Sequence, residues 1–160
     1  EGDLPARESN GGFSWYKNGL VHRDDDLPSF VSSNSKAWSK NGLDHRDGDL
    51  PAKVVNDGQR QSWFKEGKLH RVGNPAIIEE PFSYNMGKEE WWNEGNKHRE
   101  DGPAVTYIKK DKSIDRVEWW LDGIEFSEED FKHELSKRDL NKKLNEDLTP
   151  NNKKERKNKI

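Results

Sequence analysis

The chain has 160 residues, which suits one domain or a row of small repeated units but not two conventional globular domains. Charged residues make up 37% of the sequence and hydrophobic residues 29%, a balance typical of disorder, but seven tryptophans, each able to bury roughly 150–250 Å², indicate a thin aromatic core instead. The sequence contains no cysteine, which excludes disulfides and thiolate metal sites, and its net charge of −3 gives no general reason to expect nucleic acid or a membrane surface as a partner.

The sequence begins inside a repeated motif. Residues 1–6 (EGDLPA) match residues 47–52 (DGDLPA) except for Glu in place of Asp at the first position, and residues 47–52 follow a His-Arg pair. The first residue is not methionine. We therefore expect the chain to be a fragment of a longer array, shortened by truncation or by proteolytic processing.

The motif recurs from residue 15 onward. Each copy has a tryptophan followed four residues later by a glycine, and the four complete copies add a His-Arg pair and a closing proline. The tryptophans are Trp15, Trp38, Trp63, Trp91 and Trp119. The pairs are His22-Arg23, His45-Arg46, His70-Arg71 and His98-Arg99. Recurrence every 23 to 28 residues indicates units that bury their apolar faces only by stacking on neighbours.

Each copy predicts a β-hairpin around its glycine. Asn18-Gly19 and Asn41-Gly42 are strong signals for a two-residue type I′ turn, because Asn and Gly tolerate positive φ. The other three copies have an acidic residue before the glycine. A second extended run follows the proline, as in residues 52–55 and 104–107. We therefore predict an all-β fold, an elongated array of antiparallel β-hairpin repeats that covers residues 1–126.

The fifth copy lacks the His-Arg pair and leads into a predicted helix. Ser127, followed by acidic residues at positions 128–130, is typical of a helix N-cap, because acidic side chains there favour the positive end of the helix dipole. Phe131 and Leu135 share one helical face. We predict a short capping helix over residues 127–145 that seals the end of a solenoid.

The end of the chain has a different composition. Leu140 and Leu144 lie opposite the face of Phe131, so only the first turns of the helix have a clear docking stripe. Residues 151–160 contain five basic residues and one acidic residue, without apolar periodicity. We predict that residues 146–160 form a disordered basic tail.

The fourth copy shows which known repeat the motif resembles. Residues 91–105 (WWNEGNKHREDGPAV) are similar to the W-x-x-N-G-x-x-H-R-x-D-G-P-A repeat of uncharacterised proteins from large DNA viruses and tailed phages, which are grouped as variants of the MORN repeat. The first copy departs from this pattern at Ser29, and the third departs at Val72 and Asn74. The resemblance spans the whole repeat region. It implies β-hairpin repeats and an interaction role, in a virion or in host cytoplasm, without established chemistry.

Four histidines in register could bind a metal or act in acid/base catalysis. A metal needs three or four ligands that converge on one point, whereas a ladder over successive repeats spreads its ligands along an axis. We therefore interpret the His-Arg pairs as structural, bonded to neighbouring turns or to carboxylates such as Asp24, Asp47 or Asp101. The sequence has no recognisable phosphate loop, nucleophile elbow or catalytic carboxylate pair, so we predict no enzymatic activity, cofactor or metal.

Three kinds of binding function remain open. We predict first a scaffold that binds a protein partner, because repeat arrays present long regular surfaces. The alternative is a glycan or small-ligand site like that of choline-binding and glucan-binding repeats, made by an exposed ladder of the second aromatic rings. Those rings are Tyr16, Phe64, Trp92 and Trp120. Nucleic acid could bind only through the basic tail. The sequence identifies neither the partner nor the oligomeric state.

Overall fold

The computed structural model describes residues 7–9, 11–82 and 85–148. This part of the chain is mostly β, with one large antiparallel sheet and a C-terminal α-helix, so the predicted fold class is confirmed at that level. Neither a solenoid nor a closed barrel is found among the described residues, so the elongated array remains a prediction. The predictions for residues 1–6 and 149–160 lie outside the described residues.

The described repeat region contains nineteen strands, and all but one of them have two to four residues. In chain order they are β1 (Arg7–Ser9), β2 (Gly12–Ser14), β3 (Tyr16–Lys17), β4 (Leu20–Val21), β5 (Phe30–Ser32), β6 (Ser35–Ala37), β7 (Ser39–Lys40), β8 (Leu43–Asp44), β9 (Lys53–Val55), β10 (Arg60–Ser62), β11 (Phe64–Lys65), β12 (Lys68–Leu69), β13 (Ile77–Glu79), β14 (Gly87–Glu90), β15 (Trp92–Asn93), β16 (Asn96–Lys97), β17 (Val105–Ile108), β18 (Ile114–Leu121) and β19 (Ile124–Phe126). The large sheet has the order β1-β2-β5-β6-β9-β10-β13-β14-β17-β18, and β19 continues it. Sheet strands that are consecutive along the chain are therefore also neighbours in space.

A two-stranded hairpin is inserted after every second sheet strand. These hairpins are β3-β4, β7-β8, β11-β12 and β15-β16. In the fifth copy the long strand β18 pairs first with β17 and then, from Trp119 to Leu121, with β19. The hairpin turns have positive φ at both central residues, for example 52° at Asn41 and 83° at Gly42. The predicted type I′ turns are therefore confirmed.

The repeat tryptophan is the residue at which the chain passes from the sheet into the hairpin. The amide of Trp63 donates to the carbonyl of Ala76 in the sheet layer (2.8 Å), and the Trp63 carbonyl accepts from the amide of His70 in the hairpin (3.2 Å). The amide of Ala52 donates to the carbonyl of Ser62 (2.9 Å), immediately before Trp63. Trp63 therefore lies between two alanines from the neighbouring strands.

The same alternation of large and small side chains runs across the sheet and forms much of its core. The small members of the row are completely buried: Ser29, Ala52, Ala76 and Ala104. They leave room for an indole ring on either side. The sequence predicts that Trp38, Trp63, Trp91 and Trp119 are all largely buried. Trp38 and Trp63 are 9% and 6% exposed, which confirms the prediction for these two, whereas Trp91 and Trp119 are only partly buried.

The C-terminal helix α1 (Glu128–Leu148) packs against the last hairpin through its first turns. The Ser127 hydroxyl accepts the amide of Asp130 (3.1 Å), which confirms the predicted N-cap. Phe131 is buried, and its ring centre lies 4.8 Å from that of Trp119. The described helix therefore covers the fifth tryptophan.

The second half of the helix is exposed to solvent. Leu140 and Leu144 are both exposed, as their position opposite Phe131 predicts. The helix continues to Leu148, beyond the predicted boundary at residue 145. Residues 146–148 therefore belong to the helix and not to a disordered tail. The sequence offered no stop signal there because glycine and proline are absent before position 150 in this stretch.

Candidate functional site

The His-Arg pairs lie at the boundaries between successive repeat copies, and the third pair shows the arrangement. The Arg71 guanidinium lies over the Trp63 ring, 3.8 Å from the ring centre. Its Nη1 donates to the carbonyl of Pro75 (3.2 Å). Its Nε and Nη2 donate to the two carboxylate oxygens of Asp49 in the preceding copy, at 2.7 and 3.0 Å. This arginine therefore covers its own tryptophan and binds the neighbouring copy.

The arginine–tryptophan stack recurs in every complete copy at nearly the same distance. The guanidinium carbon is 3.8 to 3.9 Å from the ring centre in the pairs Arg23–Trp15, Arg46–Trp38, Arg71–Trp63 and Arg99–Trp91. A cation over an indole face is attracted by the ring quadrupole and also shields the ring from water. The arginines are thus part of the core around the tryptophans.

One aspartate joins the first copy to the second, and another joins the second to the third. The carboxylate of Asp26 accepts Nε and Nη2 of Arg46, both at 2.8 Å. Its main-chain carbonyl accepts Nε1 of Trp38 (2.9 Å), and the carbonyl of Asp49 accepts Nε1 of Trp63 in the same way (3.0 Å). The arginine hydrogen bonds hold the pKa of both aspartates below the usual range. Each aspartate therefore satisfies an indole and a guanidinium of the next copy.

The histidines also bind the next copy. The amide of Glu66, in the turn of the following hairpin, donates to Nδ1 of His45 (3.2 Å), while Nε2 of His45 lies 3.0 Å from a carboxylate oxygen of Asp47. Because an amide can only donate, Nδ1 is unprotonated and the ring proton is on Nε2, from which it is donated to Asp47. This bond lowers the pKa of Asp47.

The equivalent hydrogen bond from a turn amide to Nδ1 is present at each of the three remaining boundaries. It joins Asn41 to His22 (3.0 Å), Glu94 to His70 (3.2 Å) and Asp122 to His98 (3.1 Å). Among the described residues there is no group of three or more His, Asp or Glu side chains that could hold a metal ion. This geometry supports the structural interpretation of the histidines, because Nδ1 of each one accepts the amide of a turn in the neighbouring copy.

The boundary between the third and fourth copies is built differently. The loop of Val72, Gly73 and Asn74 is one residue shorter than the two earlier loops and contains no aspartate. Nε1 of Trp91 is buried and has no hydrogen-bond partner among the described residues. Arg99 donates through Nε to Asp101 of its own copy (2.6 Å). The sequence singled out Val72 and Asn74 as departures but did not reveal this change of partner.

A cleft lies at each of the three boundaries between complete copies, between consecutive His-Arg pairs. Their volumes are about 330, 480 and 430 Å³ in chain order. Leu27 lines the first cleft, Leu50 and Val72 line the second, and Val72 also lines the third. These aliphatic side chains are 41%, 42% and 80% exposed. The clefts thus combine walls of internally paired charges with exposed apolar rims.

The second aromatic rings do not form an open ladder. Tyr16 is exposed, whereas Phe64, Trp92 and Trp120 are half-buried. Nζ of Lys97 lies 4.5 Å from the centre of the Trp120 ring, and Nζ of Lys53 lies 4.9 Å from the centre of the Phe64 ring. Lysines of the protein itself occupy ring faces on which a sugar would stack, which disfavours the glycan alternative.

Sequence reasoning missed a buried acid beside this aromatic set. Glu90 is buried, accepts Nε1 of Trp92 (2.8 Å) and pairs with Nζ of Lys88 (2.5 Å). Alternation within β14 places Glu90 on the same face as Lys88, but a lone Glu before a Trp pair carries no signal of burial. Since both of its contacts are internal, Glu90 stabilises the sheet rather than forming a reactive site.

Comparison with known proteins leaves the chain without an assigned family. It matches no protein-family model, no curated protein and no solved structure. Within residues 7–9, 11–82 and 85–148, no helix has both the length and the apolarity needed to cross a membrane. Function must therefore be inferred from the clefts and their surroundings.

Proposed function

We propose that this chain is a non-enzymatic protein-binding module, an elongated array of MORN-like hairpin repeats whose partner lies along the three clefts. The observation that carries the proposal is the exposure of Leu27, Leu50 and Val72 on the rims of consecutive clefts. Apolar side chains that line a surface together, with polar groups around them, are typical of protein-interaction sites.

The charged groups of the clefts support binding rather than catalysis. Arg46 and Arg71 already stack on tryptophans and pair with Asp26 and Asp49, and the imidazole of His45 is engaged by a turn amide. A general base or nucleophile needs a group that is free to meet a substrate. The paired groups instead keep the cleft walls rigid, which lowers the entropy lost when a partner binds.

The chemistry of the rims defines what the partner must offer. Aliphatic contacts at Leu27 and Leu50 favour a partner segment with apolar side chains, and the surrounding carboxylates and guanidiniums favour polar groups at its edges. On the repeat signature alone, we propose that this partner is a virion component or a host protein.

Site-specific photo-crosslinking tests the proposal. A benzoylphenylalanine at position 50 should capture one protein from extracts of the source cells, and excess unlabelled wild-type chain should abolish the capture. Position 43 is the matched control, because Leu43 is a similarly exposed leucine on a hairpin, outside the linings of the three clefts. Equal capture at both positions, or none at position 50, would contradict binding along the clefts.

A further inference from the structure

The third boundary leaves two hydrogen-bond donors without an internal acceptor among the described residues, whereas the other two boundaries satisfy both. At the second boundary, Asp49 accepts the indole N–H of Trp63 with its carbonyl and two guanidinium nitrogens of Arg71 with its carboxylate. At the third boundary the indole N–H of Trp91 has no acceptor among the described residues. Nη2 of Arg99 likewise has no acceptor there, since Arg99 uses only Nε and Nη1.

The two donors keep the positions that they have at the other boundaries. Arg99 lies 3.9 Å from the centre of the Trp91 ring, against 3.8 Å for the preceding pair. Nη1 of Arg99 donates to the carbonyl of Pro103 (3.3 Å), as Nη1 of Arg71 does to its own proline. The loop before the fourth copy is one residue shorter and has no aspartate to accept these two donors. A buried donor without an acceptor is costly, so a ligand that supplies one is favoured.

We propose that the third cleft binds an aspartate within an extended segment of the partner protein. Binding would first have to uncover Trp91 Nε1, which is enclosed in the free chain; the partner's aspartate would then accept Trp91 Nε1 with its main-chain carbonyl and Arg99 Nη2 with its carboxylate. Asp26 and Asp49 show twice that one aspartate residue spans both donors, so the longer glutamate should fit less well. This inference rests on the proposed function and specifies the chemistry of the partner.

Two further features of the third cleft suit such a segment. Asp101 is 78% exposed and bonds only to Nε of Arg99, so it leaves Nη2 open to a second carboxylate. Val72 is 80% exposed and lines the cleft beside Trp91. A leucine after the partner's aspartate, as in the chain's own Asp49-Leu50, would meet Val72 and bury apolar surface.

A peptide titration followed by NMR tests the inference on the full chain. The probe is the blocked peptide Gly-Asp-Leu-Pro-Ala, the sequence of residues 48–52, and the reporter is the indole N–H resonance of each tryptophan. We expect the Trp91 resonance to move saturably downfield while that of Trp63 stays in place. The Asn and Glu versions of the peptide should bind at least tenfold more weakly. An unmoved Trp91 resonance, or equal binding of the three peptides, would overturn the inference.

Variants of the chain distinguish specific peptide binding at the third cleft from nonspecific binding. Trp91→Phe keeps an aromatic ring under Arg99 but removes the donor, so peptide affinity should fall at least tenfold. Trp63→Phe is the matched control, because the Trp63 donor is already satisfied within the chain, and it should leave peptide affinity unchanged. A comparable loss in both variants would mean that the peptide does not use the Trp91 donor.

A loop replacement gives an independent readout. Exchanging Val72-Gly73-Asn74 for Asp-Gly-Asp-Leu restores the aspartate. The Trp91 indole resonance of this variant should then have, without peptide, the chemical shift that peptide binding produces in the wild type. The peptide should no longer bind. Should this variant fail to fold, the Trp91→Phe comparison still decides the matter. If no peptide binds but the crosslinking at position 50 succeeds, this inference alone is refuted. If a peptide binds but the crosslinking at position 50 fails, the proposed function is refuted.

Discussion

Replacement of Arg71 by alanine tests whether the arginine contacts between repeat copies stabilise the fold. The variant loses the cation–π stack on Trp63 at 3.8 Å, a hydrogen bond to the Pro75 carbonyl and a bidentate ion pair with Asp49. Arg71→Lys keeps the charge but cannot reproduce the planar fork, so it should recover less than half of the loss.

The magnitude follows from these three contacts. The stack contributes about 0.5–1 kcal/mol, and the hydrogen bond to the carbonyl contributes about 1 kcal/mol. The Asp49 carboxylate is 55% exposed, so solvent screening limits its bond to about 0.5–1 kcal/mol. Arg71→Ala should therefore lower the free energy of unfolding by about 2–3 kcal/mol.

Urea unfolding followed by tryptophan fluorescence measures this loss. The matched variant Arg99→Ala removes the same stack and the same carbonyl bond, but its carboxylate partner Asp101 belongs to the same copy. Because Arg99 makes a single bond to a carboxylate that is 78% exposed, Arg99→Ala should cost less than Arg71→Ala. A loss below about 0.5 kcal/mol for Arg71→Ala would refute the magnitudes used above, whose sum is several times larger. An equal or larger loss for Arg99→Ala would refute the idea that the bond between copies adds stability.

Three further outcomes follow from the packing and the charges. Ala76→Leu should cost about 1–3 kcal/mol in urea unfolding, because Ala76 is completely buried between two repeat tryptophans; no loss would mean that the row is loosely packed. Asp49 has a folded-state pKa below the usual range, so its stabilisation is complete above the unfolded pKa and is lost as pH falls through the folded one. The stability difference between wild type and Asp49→Asn should thus be constant from about pH 5 to 7 and shrink below about pH 4; a constant difference down to about pH 2 would contradict the pairing with Arg71. Ser127→Ala should lower stability by about 1 kcal/mol with some loss of helical circular dichroism, and an unchanged unfolding curve would show that the N-cap contributes nothing.

The local elements could be predicted because their signals are local. Asn41-Gly42 specifies a tight turn through its tolerance of positive φ, and Ser127 with the acids that follow specifies a helix start, whatever surrounds them. The burial of Trp38 and Trp63 also followed from sequence, because an indole repeated at fixed spacing needs a place away from water.

The contacts between copies could not be predicted in the same way. A periodic sequence says that His45 and Arg46 have equivalents in other copies, but not whether each side chain turns toward its own copy or the next. The structure shows both, since Arg71 binds the preceding copy while Arg99 binds its own. The change accompanies a shorter loop without an aspartate before the fourth copy, and the missing partner of Trp91 Nε1 is visible only in three dimensions.

The most direct test of the structural role of the repeat signature is a coupling measured across one hydrogen bond. In uniformly ¹⁵N-labelled protein, the amide nitrogen of Glu66 and Nδ1 of His45 should show a through-hydrogen-bond nitrogen–nitrogen coupling, because the amide donates directly to that ring atom. The His45 ring should also carry its proton on Nε2, where it is donated to Asp47. Absence of the coupling together with a proton on Nδ1 would show that the histidine does not bind the next repeat copy, and would contradict a structural role for the His-Arg pairs.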